Sequence, residues 1–293
     1  MTIIAGFKSV EGIVVCADTQ ETISNISKRN VPKVRFEPSE IREHILLAGV
    51  SDLAVAFCGA ASNGPFIDKI VDRAWEVAQL TTSLDDASMA IENSIKQTYQ
   101  EFGQIYQPGY CPEAELIYGI KMHGKSRLFS ALGPIINERD TYSTGGAGYY
   151  MADFLASRMY NGLLNIYQCA ILAAYILFQA KEHVDGCGGE SQIAVLRNNG
   201  TSGLAASANV EKITKLVQWG DQAAGDIIIQ MADLDLSKEK FKEEGIQILA
   251  ALAHLREKQR NTETFGSLDL LGGLKNRDAL GLLKPEKEED HKE

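Results

Sequence analysis

The sequence has little cysteine and no paired arrangement of it. Cys16, Cys58, Cys111, Cys169 and Cys187 are odd in number and scattered, without a CxxC pair. That pattern argues against a disulfide scaffold or a structural zinc site, and it makes a reducing cytoplasm the expected compartment. A long apolar run is also missing. The most apolar stretch, Cys169 to Ala180, is well short of the roughly 20 residues that cross a bilayer, so a buried core helix is expected there. No basic segment followed by an apolar one opens the chain, so no secretory signal is expected. Positive charge is in deficit, with 29 basic against 39 acidic residues and a net charge of −10. Such a balance offers little attraction to phosphate backbones or anionic lipid, and neither nucleic acid nor membrane is an expected partner. Part of the excess acid is local, in the closing PEKEEDHKE. No internal repeat of fixed period is present.

What remains is a globular composition, 45% hydrophobic and 23% charged, in 293 residues that suffice for one large domain or two ordinary ones. Thr2–Lys8 and Gly12–Asp18 are apolar and β-branched and are separated by three residues, which predicts a tight hairpin. The second run is apolar on both faces, as in a central strand covered on both sides. Lys33–Phe36, Ile45–Ala48 and Leu53–Cys58 predict further strands. Helical spacing runs from Phe66 to Ala78, with Asn63 as cap and Pro65 in the first turn, and again from Ser83 through Phe102, with Asp86 as capping partner. Gly103–Glu115 reads as a loop. Leu116–Met122, Arg127–Leu132 and Asp140–Thr144 predict strands, Tyr150–Tyr160 and Ile166–Glu182 helices, and Gln192–Leu196 and Ser202–Ala206 two final strands. Strand runs separated by helix pairs point to packed antiparallel sheets with helices outside, not to a βαβ parallel sheet.

Five segments in order carry a resemblance. TIIAGFKSVEGIVVCADTQET opens with threonine on a β-branched strand and ends an apolar strand in Ala-Asp. PKVRF, AVAFCGAASNG, STGGAGYYMADFL and GCGGESQIAVL follow. Together they resemble proteasome β-subunits and the bacterial HslV protease, of the N-terminal-nucleophile (Ntn) hydrolase type, over residues 2–206. The resemblance implies an α+β fold, a four-layer αββα sandwich with two antiparallel sheets between helix layers. It implies a domain over 1–208. Beyond the match the resemblance is silent; apolar residues spaced among charges predict a helical extension over 209–260, and composition predicts a tail over 261–293 that suits disorder or a docking arm.

It also implies a site. Thr2 would be the nucleophile after removal of Met1, which a small neighbouring residue does not obstruct, so no long propeptide is needed. A threonine hydroxyl needs a base, and its own freed α-amine, with a pKa of about 8, can serve. Asp18 would pair with Lys33, whose ammonium lowers the proton affinity of hydroxyl and amine by charge repulsion. The Gly59 N–H would hold the oxyanion. Asp185 would reach the site from a later loop, and Gln20 and Thr22 would line an extended peptide added as a β-strand. Two positions depart from the family: Gly146 stands where a serine is usual, and Cys187 aligns with a second serine in a loop one residue short. Cys16 reads as core, and Cys187 has only His183 nearby to activate it.

These residues lead to a threonine-type endopeptidase acting on peptide or protein substrates, with no cofactor and no metal. Ring-like homo-oligomers are expected from the resemblance, and an ATPase or other regulator is left open. Two alternatives stand beside it. One is a catalytically inactive ring or scaffold protein, which the missing serine favours. The other is an Ntn amidase or ligase acting on a different amide.

Overall fold

The computed structural model describes residues 2–23, 27–38, 52–61, 64–105, 112–232, 237–243, 245–247 and 250. The strand expected at Ile45–Ala48, the Asn63 cap, Met1, Cys111 and the tail from 261 lie outside them.

Two apolar runs start the chain and pair at once. β1 (Ile3–Ser9) and β2 (Gly12–Asp18) form an antiparallel hairpin, and every residue of β2 is buried. β2 also pairs with β11 (Ser191–Arg197), and β1 with β10 (Tyr142–Gly146). With the two-residue β12 (Gly203–Leu204), the first sheet has the order β10-β1-β2-β11-β12. The second sheet has the order β5-β6-β7-β8-β9, built from Val34–Glu37, Ala54–Ala61, Ala114–Met122, Lys125–Leu132 and Ile135–Arg139. β3 (Gln20–Ile23) and β4 (Ser27–Asn30) make a small separate hairpin. All pairings in the three sheets are antiparallel.

The helices are α1 (Gly64–Ala78), α2 (Leu84–Ile105), α3 (Tyr149–Met159), α4 (Ile166–His183) and α5 (Ser207–Ala232). Local chemistry fixes their ends. The Asp86 N–H donates to Ser83 Oγ at 3.1 Å, and the Ser83 hydroxyl donates back to the Asp86 carboxylate at 2.7 Å. Asn165 and Gln168 cap α4 reciprocally, each side chain accepting the other's backbone N–H.

The period-two alternation of the strands sorts the core into three clusters. Ile3, Ala5 and Phe7 of β1 face α3, α4 and α5, meeting Ala152, Leu177 and Val210. Phe57 and Tyr118 of the second sheet face α1 and α2, meeting Ile70 and Ile95. The remaining faces meet each other, with Ile4, Val15 and Ala194 of the first sheet against Ala56, Cys58 and Ile117 of the second. The fold is α+β with antiparallel sheets and helices.

Several boundaries move. α2 runs through Gly103 to Ile105, where a loop was expected. β10 starts two residues late and reaches Gly146, and the last strand shrinks to Gly203–Leu204. β3, β4 and β9 were not expected as strands. The helical extension expected from 209 starts at Ser207, so position 208 falls inside α5, and its Val210, Ile213 and Val217 pack into the cluster beneath α4. No helix of the described residues is long and apolar enough to cross a membrane.

Candidate functional site

β1 starts beside the point where β2 ends, and that register builds the site. Asp18 closes β2, and both its oxygens are buried in donors. Oδ1 accepts the Ile3 N–H at 3.2 Å and the Lys33 ammonium at 2.9 Å, while Oδ2 accepts the Gly188 N–H at 2.9 Å. The carboxylate is 0% exposed and the lysine side chain 9%. Such a charge is tolerable inside a protein only with this degree of pairing.

Lys33 sits one residue ahead of β5. Its backbone is pinned by Gln192 of β11, whose Oε1 accepts the N–H groups of Lys33 at 2.8 Å and Val34 at 3.1 Å. The ammonium has three protons and places them on Asp18 Oδ1, the Gln20 carbonyl and Thr2 Oγ1, the last at 2.6 Å. Because an ammonium only donates, Thr2 Oγ1 is the acceptor there, and its own hydroxyl proton is left to point at a base. Thr2, Asp18, Lys33 and Gln20 are thus in one cluster.

The main chain holds Thr2 from the other side. Gly148 N–H donates to the Thr2 carbonyl at 3.2 Å, at the start of α3. Gly146, paired with Ile3, has φ +76°, and a methyl group on it would lie 2.3 Å from the Thr2 carbonyl oxygen. That approach excludes any side chain, which accounts for glycine in place of serine.

Cys187 is buried beside this layer, its Sγ 3.2 Å from where a methyl on Gly148 would sit. Burial pushes its thiol up to about 11, and the Asp18 charge adds to the rise against a smaller opposing effect of Lys33. A thiol so disfavoured from ionising suits a space-filling role. Cys16, Cys58, Cys169 and Cys187 are all free.

Two expected participants stand differently. The Gly59 N–H donates to the Lys33 carbonyl at 3.2 Å, so this amide is already engaged. A methyl on Gly59 would point toward α1, 2.8 Å from Ile67 Cδ1, so the glycine answers to helix packing. Asp185 is exposed in the turn after α4, and no hydrogen bond joins it to Thr2, Asp18 or Lys33 among the described residues. Thr22 lies in β3 opposite Lys28.

Sequence reasoning missed Gln192, Gly188 and Lys181. Lys181 Nζ donates to the Gly189 carbonyl at 3.1 Å and to Ser191 Oγ at 2.9 Å, anchoring the turn that presents the Gly188 N–H to Asp18. The only signal for Gln192 is a polar residue at the start of an otherwise apolar strand, with its role fixed by pairing opposite Ala17.

Thr2 beside a buried lysine–aspartate pair, at one end of two packed antiparallel sheets, is the arrangement to compare with known folds. Solved structures similar to the chain are Anbu proteins. They include an Anbu (Gly-1) mutant from Hyphomicrobium sp. strain MC1, at 14% identity and TM-score 0.57 over 77% of this chain and 96% of that one. Anbu, described as an ancestral beta-subunit, from Yersinia bercovieri matches at 13% identity and TM-score 0.57, over 79% and 97%. The Anbu complex from Pseudomonas aeruginosa, solved as a helical assembly, matches at 12% identity and TM-score 0.59, over 78% and 96%. No family model matches the chain, and no curated protein matches it.

These neighbours correct the resemblance to proteasome β-subunits and HslV, because Anbu is proteasome-like but a distinct family. The motifs that suggested the first reading are strand ends and glycine turns that this fold itself requires. They do not separate its families.

Proposed function

We propose that the chain is an N-terminal-threonine amide hydrolase acting on peptide bonds, with Met1 removed from the active form. The observation that carries it is the Lys33 ammonium, held by buried Asp18 and set 2.6 Å from Thr2 Oγ1. The released α-amine is the base: it takes the hydroxyl proton as Oγ attacks the substrate carbonyl, then hands it to the leaving amine. Lys33 favours the alkoxide by its charge. An acyl-threonine results, and water or a second amine resolves it. Gly59 can serve the oxyanion only by sharing its N–H with, or releasing it from, the Lys33 carbonyl. Gln20 and Thr22 line the substrate strand, and Asp185 acts at most from outside the cluster.

The core clusters support a four-layer αββα stack. The compact unit ends within α5, and the later turns, with exposed Ile228 and Ile229, begin the extension. An Anbu neighbour forms a helical assembly, which supports a homo-oligomeric form of this chain.

The test is covalent labelling with a peptide epoxyketone, which engages both hydroxyl and amine of an N-terminal threonine. Intact mass should show loss of Met1 and one adduct, and Thr2→Ala should abolish the adduct while far-UV circular dichroism stays unchanged. Retained Met1, or no adduct on the processed chain from a panel of such reagents, leaves the second reading: a proteasome-like scaffold without hydrolysis. The engaged Gly59 amide is the observation that favours it.

A further inference from the structure

A cavity of about 580 Å³ opens beside the nucleophile, and the mechanism above does not use it. One wall is Gly146, where a methyl group would lie 2.3 Å from the Thr2 carbonyl oxygen, with Ala60 near the end of β6 beside it. Thr2 itself is not part of the wall. The cavity therefore suits a side chain next to the reacting carbonyl and not the carbonyl itself. Its remaining surface divides in two. Ala60, Leu132 and Tyr149 give it apolar sides. Glu113 and Glu115 bring two carboxylates, and among the described residues no lysine, arginine or histidine lines it.

Glu115 is held in place. It extends from β7, is half-buried, and its Oε2 accepts the Gly146 N–H. One such bond leaves much of a carboxylate's accepting capacity unused. No salt bridge neutralises Glu113 or Glu115 among the described residues. Carboxylates within apolar walls focus a negative potential, and the field acts on any charge entering the space.

A long aliphatic stem with a cation at its tip matches both parts of this surface. The stem of lysine or arginine covers apolar wall while the head reaches the carboxylates, and Tyr149 offers a ring face to the same cation. Aspartate or glutamate there meets repulsion, and a purely apolar side chain leaves the carboxylates without a counter-charge. We infer that this cavity is a substrate subsite selecting lysine or arginine at a residue flanking the scissile bond, with Glu115 as the specificity-determining residue. The inference rests on the proposed hydrolase reading for its setting. The cavity's charge can be tested apart from it.

The experiment measures binding where no hydrolysis can occur. Full-length Thr2→Ala protein is titrated calorimetrically with blocked hexapeptides identical except at one position, which carries lysine, arginine, norleucine or glutamate. The position is moved along the peptide. At one position, lysine and arginine should bind about five- to tenfold more tightly than norleucine, with glutamate weakest, and the preference should shrink with added salt. Adding Glu115→Gln should bring lysine and norleucine within about twofold, since a neutral amide keeps an acceptor for the Gly146 N–H. Glu113→Gln, at an exposed position, should have the smaller effect.

Equal binding of lysine and norleucine at every position overturns the subsite. So does a lysine preference unchanged in both glutamine variants, or no peptide binding at all. An epoxyketone adduct on Thr2 without any basic preference leaves the nucleophile standing and removes the subsite. A basic preference lost in Glu115→Gln, without any adduct in the Thr2 protein, leaves a cation-binding cleft and removes the hydrolase.

Discussion

Lys33 carries more of the site than any other single residue, because three acceptors meet on one ammonium. Lys33→Ala leaves the Asp18 carboxylate buried with only two backbone donors, so it should lower stability by about 3–5 kcal/mol in urea denaturation, besides slowing epoxyketone labelling. Gly146→Ser, which restores the hydroxyl usual in the proteasome family, should lower activity. Its Cβ would stand 2.3 Å from the Thr2 oxygen at a positive φ, and a loss of about 1–3 kcal/mol should accompany it. The buried thiols add a pH dependence. Burial pushes Cys187 up to about 11 and Cys58 and Cys169 up to about 12, from an ordinary 9.0. Folding then favours the neutral thiol, so the stabilisation is complete below pH 9 and is lost as pH rises through 11 to 12. Melting temperature should fall over that window, and iodoacetamide should leave Cys187 of the native protein almost untouched at pH 8. Thr2, Asp18 and Lys33 were named through the resemblance carried by TIIAGFKSVEGIVVCADTQET and PKVRF; standing where an apolar run starts or stops would not alone have marked them. The state of the Gly59 amide could not be read from the sequence, because the direction of one N–H depends on a strand pairing that no local pattern specifies.

At the scale of elements, the glycine at 59 separates two explanations. As a site for close substrate approach it would tolerate no side chain for catalytic reasons. As a packing residue it makes room for α1, since a methyl there would lie 2.8 Å from Ile67 Cδ1 and 3.1 Å from Leu116 Cδ2. Gly59→Ala should cost about 1–3 kcal/mol by overpacking. Combining it with Ile67→Val should recover part of that loss, a coupling that calorimetry of the four variants measures. Independent additive losses would sink the packing account. The β1–β2 hairpin and helices α1, α2 and α4 were legible, because apolar periodicity marks them, joined at α2 by the Ser83–Asp86 capping pair. The β3–β4 hairpin was not. QETI and SKRN carry too few apolar residues to signal strands, and they pair with each other rather than with either large sheet. β9 escaped for the same reason, lying at a sheet edge with four of its five residues exposed.

At the scale of the whole molecule, one surface is poorly suited to water. Phe154 (52% exposed) and Met159 (48%) project from α3, with Leu163 (83%) in the turn that follows, while Ala152, Leu155 and Ala156 of the same helix face the core. Singly exposed apolar residues are ordinary, but this run follows one short helix that starts at the nucleophile layer. Interfaces of repeated subunits concentrate such aromatics. The homo-oligomer proposed above would cover this surface first, and α3 would then carry strain at a subunit contact directly to Gly148 and the Thr2 carbonyl that it holds. Light scattering on the purified chain should give a mass several times 32.0 kDa. Phe154→Glu, which places a carboxylate in the middle of the run and next to Arg158, should reduce that mass with little change in helicity. The companion change Ile228→Glu, on the far part of α5, should leave the mass unaltered if α3 forms the main contact. A wild-type mass of one chain at micromolar concentration would eliminate the assembly and with it the coupling through α3. The proposed nucleophile chemistry, whose Thr2, Asp18 and Lys33 all belong to one chain, would survive that result.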